Sequence, residues 1–520
     1  MSLGACVWVL EKKRGTIMFR ERLVLAVLAI GFSSAWADGL DLSLLARSRV
    51  KTEGGRYVVR EQYIHWNPKQ TAILICDMWD DHYCRNAARR VAEMAPHMNE
   101  VISIARKRGI LIIHCPSGCM DVYKDTPQRK LAQQAPPVKG KVPLKTWCHL
   151  DKTREPDLPV DATMPCDDEM PRERKRFYTR QIDAIEIKEG DAITDSHEAY
   201  YLMRQKGIKN AIIMGVHTNM CVLGRPFGIR QLVYQGMNVV LMRDMTDSMY
   251  NPKLPPKVSH CRGTELVVEH IEKYWCPTVV SADFTGKAAF RFGEDKRPHI
   301  VLVADSGEYH ADETIPQFAE ELRSQYGCYC DVLIGRANGD DFEIRGLQAL
   351  RQADLLVLFL RRRSLPPEQM ALIRNYLHAG KPLVALRTAS HAFETKAGSK
   401  RATWPKFDIE VLGCDYRGHG PGKFGTDVAP APNAHNHPIL ADVKPLKWHS
   451  SGSLYSSESV DKEATILLIG AYRDQRQPIA WTRMYNKSRV FYTSLGHPDD
   501  FAQPQFRKML ANAVFWAMKK

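Results

Sequence analysis

The chain has 520 residues, of which 44% are hydrophobic and 25% are charged. These fractions are typical of folded globular proteins, so they argue against a disordered chain and against a membrane protein. A single hydrophobic core seldom grows to this length, and we therefore expect at least two domains. The formal net charge is +14, but the basic runs Arg172–Arg176 and Arg361–Arg363 lack interleaved aromatic residues that stack on bases, so no nucleic acid partner is expected.

Residues 1–37 have the features of a secretory signal peptide. Arg20 and Arg22 precede the apolar run Leu23–Phe32, and Ala35-Trp36-Ala37 is a small-residue cleavage pattern. The apolar run is too short to span a bilayer, and a start at Met18 would give a more usual signal length. We therefore expect an exported protein, periplasmic or extracellular, with no membrane span. Its cysteines number 13, so at least one is unpaired if the others oxidise.

Residues 38–69 are predicted to be an N-terminal extension, after which strands and helices alternate. The run Thr71–Cys76 predicts a strand that ends at Asp77, and a helix is predicted near Asn86–Arg108. Residues 116–175 are rich in Pro, Asp and Lys, which predicts a long irregular surface loop or lid. Further elements are predicted at Ile110–Ile113, Ser196–Gln205, Ala211–Gly215, Val239–Met242 and Glu265–Tyr274. This alternation predicts a doubly wound parallel sheet over residues 70–290.

A linker is predicted at residues 291–298, and a second alternation of strands and helices follows it. The first strand of this part is predicted at His299–Ala304 and the closing helix at Gln505–Met518. Strands between them are predicted at Asp331–Ile334, Asp354–Leu360, Pro382–Leu386, Thr465–Ile469 and Val490–Thr493, with a helix at Pro367–His378. The sequence therefore predicts two α/β domains, at residues 70–290 and 299–520, each a three-layer αβα arrangement on a doubly wound parallel sheet.

The stretch Ala211–Val222 predicts a cysteine at the start of a helix. Its apolar run stops at Gly215, a polar turn follows, and Cys221 opens the next segment. A thiol at a helix N-terminus feels the positive end of the helix dipole, which lowers its pKa, and the free N–H groups there can hold an oxyanion. The alternative is a packing role, because free cysteine is among the most buried residue types.

Asp77 is predicted to end another strand of the same sheet. Residues at the carboxyl ends of parallel strands converge in one crevice, so Asp77 and Cys221 are expected to meet there. A carboxylate beside a thiol can serve as the general base of a cysteine hydrolase. The alternative for Asp77 alone is a helix cap or a surface acid.

Three segments carry a resemblance to the isochorismatase-like cysteine hydrolases, which include nicotinamidases and related amidases. They are ICDMWDDHYC around Asp77, GVHTNMCVLGRPFGIRQLVYQG around Cys221, and NVVLMRDMTDSMY, and the resemblance covers roughly residues 60–285. It implies an Asp, Lys, Cys triad with Cys221 as nucleophile and Asp77 as base. The backbone N–H groups of His217 and Cys221 would form the oxyanion hole.

The lysine of that triad has no direct match. By spacing, Arg180 stands in its place, and Lys175 is the alternative. An arginine keeps the positive charge that orients Asp77 and a thiolate, but it does not readily give up a proton. The resemblance also implies a metal site near the substrate, for which His82 and His114 are candidate ligands of a divalent metal. Each of these histidines could instead be an ordinary polar residue at a strand edge, and no other cofactor is expected.

Residues 297–520 resemble the trehalose-utilisation (ThuA-like) family, whose fold is related to class I glutamine amidotransferases. The segments that carry the resemblance include IVLVADSGEYH, KPLVALRTASHAFE, GHGPGKFG and VFYTSLGHPDDF. The amidotransferase cysteine is missing, because the strand Pro382–Leu386 leads into Arg387 and His391. His391 and His497 close apolar strands and are predicted to line a carbohydrate pocket or a metal site, with His310, His419, Arg483 and Asp499 at other strand ends.

The sequence thus predicts a hydrolase of a C–N bond in an amide or related small molecule, with a carbohydrate-related second domain and a homo-oligomeric state. Two alternatives remain open. The chain could be a binding protein with a degenerate triad, or a sugar-active enzyme whose chemistry lies in the ThuA-like domain.

Overall fold

The computed structural model describes residues 41–305, 309–338, 341–394 and 401–519. The predicted signal peptide at residues 1–37 lies outside the described residues. Within those ranges, no helix is both long and apolar enough to cross a bilayer.

Eight described strands of the first half form one sheet, in the order β2-β1-β8-β7-β6-β3-β4-β5. The strands from β3 to β8 pair in parallel, and the two N-terminal strands extend the sheet in antiparallel fashion. Their bounds are β1 (Leu42–Lys51), β2 (Tyr57–Trp66), β3 (Thr71–Cys76), β4 (Leu111–Cys115), β5 (Ala192–Ile193), β6 (Asn210–Val216), β7 (Asn238–Asp247) and β8 (Thr278–Val279).

The helices of this half cover the sheet, and they lie close to their predicted positions. The bounds are α1 (Arg85–Lys107), α2 (Met120–Tyr123), α3 (Pro127–Gln133), α4 (Glu198–Gln205), α5 (Cys221–Gly224), α6 (Ile229–Tyr234), α7 (His260–Tyr274) and α8 (Ala282–Thr285). Strands β3 and β6 are buried along their whole length, as expected when helices cover both faces. The irregular excursion predicted at residues 116–175 is confirmed, except that α2 and α3 lie within it.

The second half forms a nine-stranded sheet in the order β10-β9-β13-β14-β21-β20-β19-β16-β17, counted over the described residues. The bounds are β9 (His299–Ala304), β10 (Tyr329–Ile334), β11 (Arg336–Asn338), β12 (Asp341–Glu343), β13 (Leu355–Phe359), β14 (Leu383–Leu386), β15 (Asp415–His419), β16 (Thr426–Pro430), β17 (Trp448–Ser450), β18 (Tyr455–Glu458), β19 (Thr465–Tyr472), β20 (Gln475–Tyr485) and β21 (Ser488–Thr493). Its helices are α9 (Ala311–Tyr326), α10 (Pro367–His378), α11 (Pro498–Ala502) and α12 (Pro504–Ala517).

This second sheet is only partly the parallel sheet that the sequence predicts. Strands β10, β9, β13, β14 and β21 pair in parallel. The strands from β20 to β17 pair antiparallel to their neighbours. The sequence pattern does not reveal β20, because polar residues interrupt its apolar positions and a proline lies in its middle. The prediction of two α/β domains is confirmed.

The predicted extension at residues 38–69 contains a regular element, the hairpin formed by β1 and β2. The two strands pair over ten residues each, from Leu42 opposite Trp66 to Lys51 opposite Tyr57. The hairpin also joins the two halves, because Arg49 donates to Glu272 of α7 at 3.0 Å and to Glu320 of α9 at 2.8 Å. The sequence does not predict this strand, because arginines normally indicate an exposed segment and those of β1 are buried.

We expect Gly215 to be required for the pairing of β3 with β6. Its φ is +109°, and a Cβ atom there would lie 2.0 Å from the carbonyl oxygen of Cys76. Gly215→Ala should therefore lower the free energy of unfolding by ~3 kcal/mol or more, measured by urea denaturation.

The matched control is Gly207→Ala. Gly207 also has a positive φ, +68°, but no atom lies within 4 Å of the position that a Cβ would take there. Only the backbone strain of about 1–2 kcal/mol should remain in this variant. Equal losses for the two variants would show that the contact with Cys76 does not constrain the sheet.

Candidate functional site

Cys221 and Asp77 meet at the carboxyl edge of the first sheet. Asp77 follows the last residue of β3, and Cys221 is the first residue of α5, which follows β6. Asp77 is fully buried, and Cys221 is 8% exposed. The charges of Asp77 and Arg225 both act on the Cys221 thiol, so the two side chains lie close to the sulfur. The structure thus brings the predicted thiol and carboxylate together at one edge of the sheet.

The carboxylate of Asp77 is held by several groups besides the thiol. Its Oδ1 accepts from the N–H of Ser117 at 2.9 Å, and its Oδ2 accepts from Nε and Nη2 of Arg225, both at 3.2 Å. The backbone of Asp77 has a φ of +48°, an uncommon value for a residue with a side chain. Its N–H donates to the carbonyl of Cys115 at 3.0 Å, which helps to fix this turn at the strand end.

Arg225 supplies the positive charge of the site. It follows α5 directly, and its guanidinium lies 5.5 Å from the ring centroid of Trp147. The side chain is 26% exposed, whereas that of Asp77 is fully buried. A buried carboxylate needs such a partner, because a buried pair that loses one member typically costs about 3–5 kcal/mol of stability.

Arg180, the predicted replacement for the lysine, is not brought into this site. Its side chain is 53% exposed, and Nη2 pairs with Asp183 at 3.3 Å. The prediction is corrected because the chain after residue 175 directs the Arg180 guanidinium to the surface. The alternative, Lys175, pairs with Glu173 at 3.1 Å. The signal for Arg225 was present in the motif around Cys221, since residues four apart at a helix start can share a face.

The expected lowering of the Cys221 pKa is wrong in direction. Burial raises the pKa of this thiol, the negative charge of Asp77 raises it further, and Arg225 offsets the rise only in part. Helix α5 has only four residues, so few aligned peptide dipoles act on the sulfur. The resting site is therefore a neutral thiol close to the Asp77 carboxylate and the Arg225 guanidinium.

Of the two predicted oxyanion-hole residues, His217 lies on the loop between β6 and α5, and Cys221 is the first residue of α5. Within the described residues, the N–H groups of His217 and Cys221 donate to no protein acceptor. The loop itself is anchored, because the N–H of Thr218 donates to Asp247 at 2.8 Å and Asn219 exchanges two hydrogen bonds of 2.9 Å with Met249. Free N–H groups at fixed positions can donate hydrogen bonds to an oxyanion as it forms, without reorganisation of the protein.

A cavity of about 230 Å³ opens next to Cys221. Trp79 and Tyr178 form one wall and are stacked at a centroid distance of 4.2 Å with an interplanar angle of 9°. The other lining residues are His82, Tyr83, Arg174, Lys175, Arg176, His217, Met220 and Met249. The cavity has the size and the aromatic walls to hold a small planar molecule.

The two histidines predicted as metal ligands do not fit a shared metal site. His114 is buried with both ring nitrogens engaged, by Gln181 at 3.0 Å and by Asp191 at 3.1 Å. His82 lines the cavity, where burial lowers its pKa to about 4, and its Nδ1 accepts from the N–H of Cys84 at 3.2 Å. His114 thus lacks a free lone pair to share with a metal bound at His82, and no catalytic step is assigned to a metal.

One other group of metal-type ligands, Cys84, Cys166 and Asp168, lies nearby in the described chain, with ligand atoms within 4.8 Å of one another. Both oxygens of Asp168 accept from backbone N–H groups at the start of α1, those of Arg85 at 2.7 Å and Asn86 at 2.8 Å. Asp168 therefore acts as a cap of α1.

The second half has its own cavity, of about 520 Å³, at the carboxyl end of its parallel strands. Its lining residues are Tyr309, Arg361, Arg362, His391, Glu394, Tyr416, Arg417, Gly418, His419 and Tyr455. His391 is placed there as predicted. His497 does not line this cavity, and its Nδ1 instead accepts from the N–H of Asp499 at 3.3 Å as the cap of α11.

Comparison with known protein families gives a match to the second half of the chain. Residues 301–517 match the family described as Trehalose utilisation (ThuA). These residues therefore form a ThuA-like domain. No curated protein matches the chain.

Solved structures that are similar to the chain include two ThuA-like proteins and a cysteine hydrolase. A putative ThuA-like protein from Bacteroides uniformis is 16% identical, with 44% of this chain and 94% of that chain covered and a TM-score of 0.34. One from Parabacteroides merdae is 18% identical, with coverages of 43% and 90% and a TM-score of 0.34. The cysteine hydrolase from Pseudomonas syringae pv. phaseolicola is 14% identical, with coverages of 42% and 92% and a TM-score of 0.27.

We expect Arg225 and Arg180 to differ sharply in their effect on stability. Arg225→Gln leaves the buried Asp77 carboxylate without its cation and should lower the free energy of unfolding by about 3 kcal/mol. Arg180→Gln removes an exposed pair and should change it by less than ~0.5 kcal/mol. Urea denaturation of both variants checks this, and a large loss for Arg180→Gln alone would contradict the assignment.

We also expect Cys221 to react with iodoacetamide as a thiol of raised pKa. The alkylation rate, followed by peptide mass spectrometry, should keep rising with pH beyond ~9, because only the thiolate reacts. Asp77→Asn removes a negative charge and should shift this profile to lower pH. A rate that levels off below a pH of about 8 in the unmodified protein would show that the thiolate is stabilised instead. Circular dichroism at each pH verifies that the fold persists.

Proposed function

We propose that the first domain is a cysteine hydrolase that acts on the C–N bond of a small amide. The observation that carries this proposal is the proximity of the Cys221 thiol to the buried Asp77 carboxylate beside a cavity. A general base next to a nucleophile is the arrangement that covalent acyl transfer needs. The resemblance of the motifs around both residues to the isochorismatase-like hydrolases supports the same reaction.

The reaction begins with the transfer of the thiol proton to Asp77 as Sγ attacks the carbonyl carbon. The carbonyl oxygen becomes an oxyanion and accepts hydrogen bonds from the N–H groups of His217 and Cys221. When the C–N bond breaks, Asp77 returns the proton to the leaving nitrogen, and the acyl group remains on sulfur. Asp77 then takes a proton from water as the water oxygen attacks the thioester, and the acid leaves with the thiol restored.

Arg225 has a positioning role in this scheme. Its two hydrogen bonds to Oδ2 fix the carboxylate, and its charge favours the thiolate that forms during the attack. An arginine remains protonated throughout, so protons move only between sulfur, Asp77, the substrate nitrogen and the attacking water. A lysine in this position could also have moved a proton.

The cavity indicates which amides are suitable. Its volume of about 230 Å³ limits the substrate to a small molecule. The stacked rings of Trp79 and Tyr178 offer a flat surface, and an aromatic or otherwise planar amide can pack against it. We therefore propose a planar carboxamide as the substrate class.

A second function is proposed for the ThuA-like domain, namely binding of a carbohydrate. The supporting observation is the cavity of about 520 Å³, which is large enough for a saccharide and has the rings of Tyr416 and Tyr455 in its wall. Aromatic side chains and a few convergent polar groups are typical of small-molecule sites.

Release of ammonia from a panel of aromatic and aliphatic carboxamides tests the hydrolase proposal. Cys221→Ala should abolish turnover, with a loss of at least ~1,000-fold, and Asp77→Asn should lower it by roughly 100-fold or more. Intact-mass analysis should detect the acyl group on Cys221 when the reaction is quenched early.

Cys261→Ala is the control, because Cys261 is a half-buried cysteine on α7 and is not part of the cavity near Cys221. Its activity should be unchanged. Turnover that survives Cys221→Ala would overturn the proposal, and the absence of turnover and of acylation with every amide would favour a binding role for this domain.

A further inference from the structure

Arg387 carries a buried positive charge next to the cavity of the ThuA-like domain. It follows β14 directly, its φ is +41°, and it is 1% exposed. Its guanidinium lies 4.1 Å from the ring centroid of Tyr309 and 4.8 Å from that of Tyr455. Both tyrosines line the cavity, so the charge lies directly behind its wall.

The protein compensates this guanidinium without a direct ion pair among the described residues, although the charge of the buried Asp500 also acts on it. Nη1 donates to the carbonyl of Ser494 at 2.8 Å and Nη2 to the hydroxyl of Ser453 at 3.4 Å, while Nε has no hydrogen-bond partner. Among the described residues, no carboxylate forms an ion pair with Arg387. Buried arginines are normally paired with an acid, because neutral acceptors and aromatic faces balance only part of the cost of burying the charge.

The wall of the cavity adds further positive charge. Arg361, Arg362 and Arg417 line it, and among the described lining residues Glu394 is the one acid. Glu394 pairs with Arg362 at 3.2 Å. Arg417 pairs with Asp415 at 2.5 Å and with Glu458 at 3.7 Å, and neither of these two acids is a lining residue. The cavity wall therefore carries more arginines than acids.

His391 is neutral in this cavity. Burial lowers its pKa to about 3, and the positive charges of Arg362 and Arg361 contribute to the shift. The part of this shift that comes from the arginines reflects a positive potential at His391, which favours an anionic group over a further cation.

A set of flat rings occupies the same cavity. His391 and Tyr416 are stacked at 4.5 Å with an interplanar angle of 18°, and Tyr416 lies 4.9 Å from Tyr455. Such faces pack against the C–H surface of a sugar ring, while guanidinium groups bind carboxylate, sulfate or phosphate in bidentate fashion. The volume of about 520 Å³ far exceeds that of a free oxyanion.

We propose that this cavity binds an acidic saccharide, whose sugar ring packs on Tyr416 and whose anionic group is held by Arg361 and Arg417. The proposal rests on the carbohydrate-binding role of the ThuA-like domain and adds the requirement for a negative charge. A hexuronate is the simplest ligand with both features.

Isothermal titration calorimetry on the full chain tests the proposal, with Cys221→Ala as background so that the first domain has no nucleophile. The probes are glucuronate, galacturonate, glucose, galactose, glucose 6-phosphate and inorganic phosphate. We expect the uronates to bind at least ~10-fold tighter than the matching neutral sugars, with an affinity that falls as salt is raised. Binding of glucose 6-phosphate as tightly as the uronates would support a site for anionic saccharides in general.

Arginine variants then test which side chains hold the anionic group of the saccharide. Arg361→Gln and Arg417→Gln should each weaken uronate binding roughly tenfold and leave neutral sugars unaffected. Arg351→Gln, an exposed arginine outside the cavity, is the control and should change neither. Both cavity variants keep Arg387, so their folds should persist, which thermal unfolding checks.

The alternative outcomes are distinct. Equal affinity for uronates and neutral sugars would overturn the charge requirement and leave the carbohydrate role intact. Tighter binding of inorganic phosphate than of any saccharide would overturn the inference in favour of a plain anion site. Failure of every saccharide to bind at millimolar concentration would overturn the carbohydrate role together with this inference.

Discussion

The candidate site of the first domain depends on the buried charge of Asp77, which lies beside Cys221 and pairs with Arg225. A carboxylate that is fully buried must be balanced, and Arg225 together with the N–H of Ser117 balances it. Burial raises the pKa of the Cys221 thiol, and the same negative charge raises it further, so the proton stays on sulfur. In the reaction that we propose, the thiol therefore loses its proton only as the sulfur attacks the substrate.

Each domain has an arginine near a strand end, but the two arginines differ in the groups that balance their charge. Arg225 forms an ion pair with the buried Asp77, so its charge balances a residue of the candidate site. Arg387 is packed between Tyr309 and Tyr455 without an acid in ion-pair contact among the described residues, and only the more distant charge of the buried Asp500 acts on it. The difference follows from what the neighbouring strands supply, because Asp77 follows β3, whereas the strands around β14 bring tyrosines and serines.

The hairpin of β1 and β2 connects these domains. Arg47 and Arg49 share Glu272 of α7, and Arg49 also reaches Glu320 of α9. Tyr63 of β2 donates its hydroxyl proton to the carbonyl of Ile334 at 2.9 Å, at the end of β10. Buried charge pairs of this kind are costly to break, so the segment before the first predicted strand belongs to the folded core.

Much of the fold and half of the candidate site could be predicted from the order of the amino acids. The alternation of strands and helices, the two α/β domains and the positions of Asp77 and Cys221 at strand ends all follow from hydrophobic periodicity and strand termini, which are local properties. The cation that joins these two residues could not be predicted in this way. Arg180 and Arg225 have equal charge, and only the path of the chain after Cys221 brings Arg225 to the carboxylate. The direction of the Cys221 pKa likewise depends on burial and on Asp77, which comes from a distant part of the sequence, so it emerges only when the strands are packed side by side.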